Sequence, residues 1–420
     1  MAKDTMAAVH SYRQDLHLLR DRRFALLLTA RTISMLGSSF APVALAFGIL
    51  RLPGATSTTL SVVLTAEALP MVLFMLVGGV IADRFPRHRV MMIGEWTNAL
   101  AFFALAAMLF TGWTPLPALA TAAAISGIAI ALLFPALQGI IPEVVPPDRL
   151  QAGNALLGLG ANSSRIAGAV LGGATVTLVG GAWALATSGL LFAVAGVCIS
   201  LLRLTPVQKS SKSHSVIKDL REGWREFASR QWLWVVVAQF AIMLMAMQAA
   251  HGVLGPTLAE QELGGAPAWT AVLTGEAVGT IVGVAVALRL RPRRPIFVAT
   301  LLTIPTALPY LLLGLSAPLW SVVAAAVVLG ICFDVFGVLW QTTMQREIPA
   351  EALSRVSSYD ALGSLMFGPI GLMLAGPVAG AIGPKPALIG CAVIVVGVSV
   401  IAALAPGVRR LKAPQSVATP

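Results

Sequence analysis

Apolar runs of about twenty residues alternate along this chain with short breaks of charge, proline and glycine. A run of that length spans the ~30 Å hydrocarbon layer as a helix. The pattern predicts twelve such helices, at 24–50, 58–82, 90–111, 118–140, 152–178, 182–202, 232–254, 268–288, 296–315, 319–340, 358–381 and 387–405. One polar interval is longer than the rest. Residues 203–231 begin with a Ser/Lys-rich stretch. After it, Ile217, Leu220, Trp224 and Phe227 recur on one helical face, so an amphipathic helix on the membrane surface is expected there.

That interval divides the chain into a polar segment 1–23, a six-helix half 24–202, the linker 203–231, a second six-helix half 232–405 and a tail 406–420. The halves resemble each other. "LTAEAL" at 64–69 returns as "LTGEAV" at 273–278, "QGIIPEVVPPDRLQAGNAL" at 138–156 as "QREIPAEALSRVSSYDAL" at 345–362, and "GAVLG" at 168–172 as "GPVAG" at 376–380. Offsets of 206 to 209 residues indicate a six-helix unit duplicated in one orientation. Parallel repeats of this kind place a substrate site near mid-membrane.

Composition agrees. Hydrophobic residues make up 57% of the chain, mean hydropathy is +0.85, and only 11% of residues are charged. A soluble domain carries about 25%. The net charge of +11 does not point to nucleic acid, because no basic patch with interleaved aromatics accompanies it. It points to topology. Cytoplasmic loops carry the excess Lys and Arg. With the amino terminus inside, the inner segments 1–23, 83–89, 141–151, 203–231, 289–294, 341–357 and 406–420 hold 25 of the 29 basic residues. The outer loops hold Arg51 and Lys385. Both termini are therefore expected on the cytoplasmic side of the inner membrane. Cys198, Cys332 and Cys391 share no short spacing, so neither a disulfide framework nor a metal site is expected. The polar start of the chain does not read as a secretory signal. No phosphate-cradling loop is present, no cofactor is expected, and a gradient would have to drive any transport.

The stretch "GGVIADRFPRHR" at 78–89 resembles the helix 2–3 loop signature of the major facilitator superfamily, through Gly79, Asp83, Arg84, Arg87 and Arg89. Pro86 replaces the usual glycine and His88 one basic residue. The Ile-Pro segments after helices 4 and 10, and "RIAGAVLGG" in helix 5, are similar to a bacterial subgroup that includes enterobactin and macrolide exporters. The resemblance covers nearly the whole chain. It implies an all-α membrane protein of twelve helices in two pseudo-symmetric bundles, working by alternating access. Two positions depart from the pattern of proton-coupled drug antiporters. Helix 4 has no arginine, and the Gly-Pro of the helix 5 exporter motif is Gly168-Ala169. The resemblance assigns Gly79, Asp83, Arg84, Arg87 and Arg89 to gating. Asp83 would latch onto the amino-terminal end of helix 11, where backbone N–H groups favour an anion. The alternative is a solvated charge that only fixes topology.

Ionisable groups inside a bilayer are costly and are functional candidates. Here they are Arg31, Glu67, Glu95, Arg165, Glu276 and Asp334, with His251 and Asp360 near span ends. Glu67 and Glu276 occupy matching positions in helices 2 and 8, and either couple protons, bind cationic substrate or pair structurally. Arg31 either meets Asp334 across the cavity or snorkels to headgroups. Glu95 is expected to pair with the neighbouring basic loop. Asn98, Gln239 and Gln248 line a cavity or bridge helices. Gly158, Ala161, Arg165, Gly168 and Gly172 form a small-residue stripe on helix 5, and Glu276, Gly279, Gly283 and Ala287 form another on helix 8. Such stripes let helices approach closely, so helices 5 and 8 are expected to meet through them, with Arg165 paired to Glu276.

Together these observations predict a secondary transporter, not an enzyme. It would export a small amphiphilic compound, such as a drug, siderophore or secondary metabolite, by proton-coupled antiport. An importer of the same fold, or a non-transporting sensor or scaffold, are the alternatives. The expected partners are a small-molecule substrate, protons and membrane lipids, without nucleic acid, and the chain is expected to be a monomer.

Overall fold

The computed structural model describes residues 16–146, 149–202 and 224–412. Among them every regular element is helical. The long helices are α1 (Arg22–Leu50), α2 (Ser57–Arg84), α3 (Arg87–Thr111), α4 (Leu116–Val144), α5 (Leu150–Val179) and α6 (Gly181–Ser200). They continue with α7 (Gln231–Glu262), α8 (Ala266–Arg289), α9 (Pro295–Gly314), α10 (Leu319–Glu347), α11 (Ala350–Leu365 and Gly368–Ile382) and α12 (Pro384–Leu404). Eleven of the twelve are long and apolar enough to cross a bilayer. The other, α5, has 30 residues but carries Asn162, Ser163, Ser164 and Arg165 at its middle.

The chain forms two compact units: Met1–Ile49 with Ala66–Ser210, and Leu50–Thr65 with Ser211–Pro420. The first turns of α2 thus group with the second unit, a division the hydropathy pattern did not anticipate. The reason is local. Ser61 donates a hydrogen bond to the Leu372 carbonyl, and the Gly376 N–H donates to Ser61 Oγ at 3.2 Å. A Cβ on Gly376 would lie 2.7 Å from the Ser57 carbonyl oxygen, so glycine is what lets the two backbones touch.

The duplication is visible in the backbone. Pro115 and Pro318 precede α4 and α10 with nearly the same dihedrals, φ −65°, ψ 130° and φ −63°, ψ 145°. Gly180 and Gly383 make the single-residue turns into α6 and α12 at φ 94° and 87°, conformations an L side chain rarely adopts. An offset of 203 residues separates both pairs. The offsets of 206 to 209 come from motifs elsewhere along the helices, so the repeats differ by short insertions.

Two helices are broken where proline removes an N–H and crowds the carbonyl four residues back. In α7 the segment Ala249–Leu254 winds as a π-helix just before Pro256, and the Gly255 N–H donates to the Ala250 carbonyl. This bulge lets α7 continue to Glu262, two turns beyond the expected end at residue 254. In α9 a 3₁₀ turn at Pro305–Ala307 separates Pro295–Leu302 from Leu308–Gly314.

The linker helix is described only from Trp224. Phe227 is buried in the core of the second unit, beside Trp232 and Met344, and its ring lies 6.0 Å from that of Tyr359. Its end is therefore docked on protein, where a membrane-surface helix was expected. Ile217 and Leu220 lie outside the described residues.

The small-residue stripes are used inside each unit. On α5, a Cβ at Gly168 would meet Ser39 and Leu36 of α1, and one at Gly172 would lie 3.1 Å from the Phe40 Cα. Ser164 donates to the Thr32 carbonyl at 2.7 Å on the same α1–α5 contact. Gly158 faces open space. On α8, Gly279 and Gly283 abut the α10 backbone at Val327 and Ile331. Within each unit, part of each stripe is thus used for close packing, on α1 for Gly168 and Gly172 and on α10 for Gly279 and Gly283.

Candidate functional site

In the second unit, the two helix breaks bring three polar side chains together. His251 lies within the π-helix of α7, Tyr310 directly follows the interruption of α9, and Glu276 comes from α8. Tyr310 Oη is 2.9 Å from His251 Nδ1, and His251 Nε2 is 2.9 Å from Glu276 Oε2. Trp269 stands edge-on to the imidazole, with ring centroids 5.9 Å apart. Tyr310 is only 1% exposed. π-bulges inside helices recur at functional sites.

This chain can take up a proton without losing a hydrogen bond. With Glu276 ionised, Nε2–H donates to the carboxylate and the tyrosine hydroxyl donates to Nδ1. With Glu276 protonated, its O–H donates to Nε2 and Nδ1–H donates to the tyrosine oxygen. The tautomer of the imidazole follows the charge of the carboxyl group.

The first unit holds the matching carboxylate. Ser126 Oγ of α4 lies 3.0 Å from Glu67 Oε1 and 2.7 Å from Asn98 Oδ1 of α3. One hydroxyl hydrogen cannot serve both acceptors. Either Glu67 carries a proton and donates to Ser126, or the Asn98 amide is turned over and its NH2 donates instead. The backbone repeats as well. Gly127 of α4 presses on the carbonyl of Glu67, and Gly330 of α10 presses on the carbonyl of Glu276. Both carboxylates therefore sit on helices that their neighbours approach through a glycine.

Glu95 on α3 is 3% exposed and is turned toward α1, on the side of Ser34 and Arg31. The expected pairing of Glu95 with the basic loop is thus replaced by an inward position facing α1, where Ser34 is buried and Arg31 half-buried. Asp334 of α10 packs against Gly283 of α8. Arg165 is exposed on α5 and belongs to the first unit, whereas Glu276 is held within the second unit by His251.

At the α2–α3 loop, Arg87 Nη1 donates to the Gly139 carbonyl at 2.6 Å and pairs with Glu143 Oε1 at 3.0 Å. It thereby ties the start of α3 to the end of α4. Gly139 is required there, since a Cβ would lie 2.7 Å from Arg87 Cδ and nearer still to the guanidinium. Gly79 faces open space, and Arg84 and Arg89 are exposed. The Asp83 backbone lies in α2, while its side chain lies outside the described residues.

Gln239 bridges helices: its Nε2 donates to Thr303 Oγ1 at 2.8 Å and to Ser399 Oγ at 3.3 Å, joining α7, α9 and α12. Met243 and Met247 are buried. Sequence reasoning left Tyr310 unnoticed and placed His251 among the weaker candidates. The available signal was a polar aromatic following two prolines within an apolar run, "IPTALPYLLLG".

Among the described residues, twelve long helices in two units thus carry a pair of matching carboxylates, Glu67 and Glu276. A family model of the Major Facilitator Superfamily matches residues 27–368. The chain belongs to the major facilitator superfamily. Within that superfamily it is 27% identical over 383 residues to the enterobactin exporter EntS of Shigella boydii serotype 18, covering 85% of this chain and 87% of the exporter. It is also 27% identical over 381 residues to EntS of Escherichia coli O6:K15:H31, with the same coverage. Among solved structures, the nucleoside transporter NupG superposes with a TM-score of 0.72 at 15% identity, covering 93% of this chain and 100% of NupG. A bacterial homolog of the human lysosomal transporter Spinster, inward-facing and unoccupied, gives 0.68 at 15% identity, covering 92% and 96%. These superpositions support the fold. The protein is a multi-pass membrane transporter of this superfamily with exporter relatives.

Proposed function

We propose that this transporter exports a small amphiphilic compound by alternating access, and that proton entry drives it. The Tyr310–His251–Glu276 chain carries the proton part of the reading. Its tyrosine is buried while His251 and Glu276 are partly exposed, it belongs to three different helices, and it accepts or releases one proton by reversing its hydrogen bonds. Glu67, with Ser126 and Asn98, supports a second protonation site in the first unit. The likeness to EntS, an enterobactin exporter, supports export over import and a siderophore-like compound among the substrate classes.

Both termini are proposed to be cytoplasmic, in the inner membrane. The charge pattern supports this orientation. At the far ends of the helices, Arg51 pairs with Glu260 at 3.0 Å and Lys385 with Glu262 at 2.7 Å. The two basic residues assigned to outer loops are thus offset by acids, and the excess positive charge lies at the opposite end.

The test is transport into inverted membrane vesicles, with and without an imposed pH gradient, over a panel of catecholate siderophores, drugs and secondary metabolites. Uptake that rises when the vesicle interior is acidified supports proton-driven export. Accumulation that ignores the gradient, or that occurs only in right-side-out vesicles, overturns it.

A further inference from the structure

Within the second unit, α7, α10 and α11 line a half-open cavity of about 280 Å³. Phe240, Phe333, Phe336 and Trp340 form its walls. The rings of Phe240 and Phe336 are parallel to within 11° at 5.4 Å, and those of Phe336 and Trp340 to within 7° at 6.3 Å. They form one stacked aromatic cluster along α7 and α10. Asp360 of α11 is the ionisable residue of the lining. Trp340 Nε1 donates to its Oδ2 at 3.1 Å, and Ser364 Oγ lies 3.4 Å from its Oδ1.

Both of these partners are neutral. They orient the carboxylate, but they do not offset its charge. A half-buried carboxylate at the end of its span whose hydrogen-bond partners are neutral attracts a cation, and aromatic faces attract cations. A planar ligand can continue such a stack at its end and meet the ring edges along it. We infer that this cavity is a binding site for a planar aromatic cation carrying a single positive charge, with the rings of Phe240, Phe336 and Trp340 holding the flat body and Asp360 holding the charge. Its volume is at the low end for ligand sites, so the occupant is a compact cation or the cationic head of a longer amphiphile. Gly337 of α10 also faces the cavity, and a Cβ there would meet nothing within 4 Å. The space beside the aromatic wall is therefore kept open by a glycine that packing does not require.

The inference deepens the export reading and rests on it only for the site's role in transport; binding tests the site by itself. The probe is the fluorescent cation 4-(4-dimethylaminostyryl)-N-methylpyridinium, titrated into the purified full-length protein in detergent. Its unmethylated, uncharged parent is titrated in parallel at a pH where it stays neutral. The cation should bind saturably and at least tenfold tighter than the parent. Asp360→Asn keeps an acceptor for Trp340 and should remove that preference, leaving the parent's affinity within twofold. Gly337→Val should weaken both probes at least tenfold by filling the cavity, and serves as the deciding variant if Asp360→Asn does not fold. Equal affinity for the two probes, or unchanged cation binding in Gly337→Val, overturns the site. Saturable binding that follows these variants, together with no export of the probe from vesicles, keeps the site and overturns the export reading.

Discussion

His251 Nε2 sits 2.9 Å from a carboxylate oxygen of Glu276, and its other ring nitrogen faces the hydroxyl of Tyr310 at the same distance. The two protonation arrangements of this chain differ in which end donates. A glutamine at position 276 can donate its NH2 to Nε2, imitating the protonated carboxyl. Glu276→Gln should therefore fold nearly as well as the wild type and lose the response of transport to a pH gradient. Glu276→Leu leaves Nε2 without a partner and should cost about 1–3 kcal/mol of stability. Unfolding in mixed micelles and gradient-driven uptake, measured on both variants, separate the two effects. A gradient response that survives Glu276→Gln removes Glu276 from the coupling path.

Arg87 is pinned by two acceptors at the end of α4, and its guanidinium occupies the space that a side chain on Gly139 would need. Gly139→Ala should therefore displace Arg87 and reproduce the transport defect of Arg87→Ala. The pair with Glu143 is partly exposed, so about 1 kcal/mol of stability is at stake. In an Arg87→Ala background the same alanine has nothing to strike, and adding it should change little. Uptake by the two single variants and the double variant checks this. Full additivity would mean that Gly139 acts through some other contact.

The spans and the duplication were legible because each is a property of consecutive residues: hydropathy over twenty positions, and recurrence of short strings such as "LTAEAL" and "LTGEAV". Glu67 and Glu276 were matched correctly, as Gly127 and Gly330 confirm by pressing on their carbonyls. Partners across helices were not legible. The glycines on α5 and α8 marked close approach but gave no rotation angle, so their packing on α1 and α10 within each unit was not foreseen. Glu95 looked near enough to the basic loop by sequence distance, yet a rotation of α3 turns it toward Arg31. His251 was obscured because the π-helix that aims it shifts the helical phase by part of a turn.

Gly330 makes that tight packing measurable. A Cβ there would lie 2.7 Å from the Thr280 nitrogen and would strike the Glu276 carbonyl, both backbone atoms that cannot swing away. Gly330→Ala should cost about 1–3 kcal/mol by overpacking and should shift α8 enough to reduce transport. Gly337→Ala, seven residues on along the same helix, meets open space and should be neutral or stabilising. Comparing the two in mixed-micelle unfolding cancels the general effect of replacing glycine in a helix. Equal stabilities would show that α10 relaxes away from α8 without cost.

Arg31 and Glu95 supply the last prediction. Glu95 is 3% exposed, and its Oε2 has no hydrogen-bond partner among the described residues. Arg31 of α1, half-buried, is the basic residue facing it. Removing one member of a fully buried pair costs about 3–5 kcal/mol, whereas replacing both by apolar residues of similar size is often neutral; with Arg31 half-buried the loss should fall below that range. Arg31→Met alone should thus lower the amount of folded protein in the membrane sharply, and Glu95→Leu alone should do the same. The double variant should recover most of the loss. Transport then decides whether the pair has a further use. A double variant that folds and transports makes the pair structural, while one that folds without transporting places the charges in the transport cycle. Strictly additive losses in folding would show that Arg31 and Glu95 do not depend on each other.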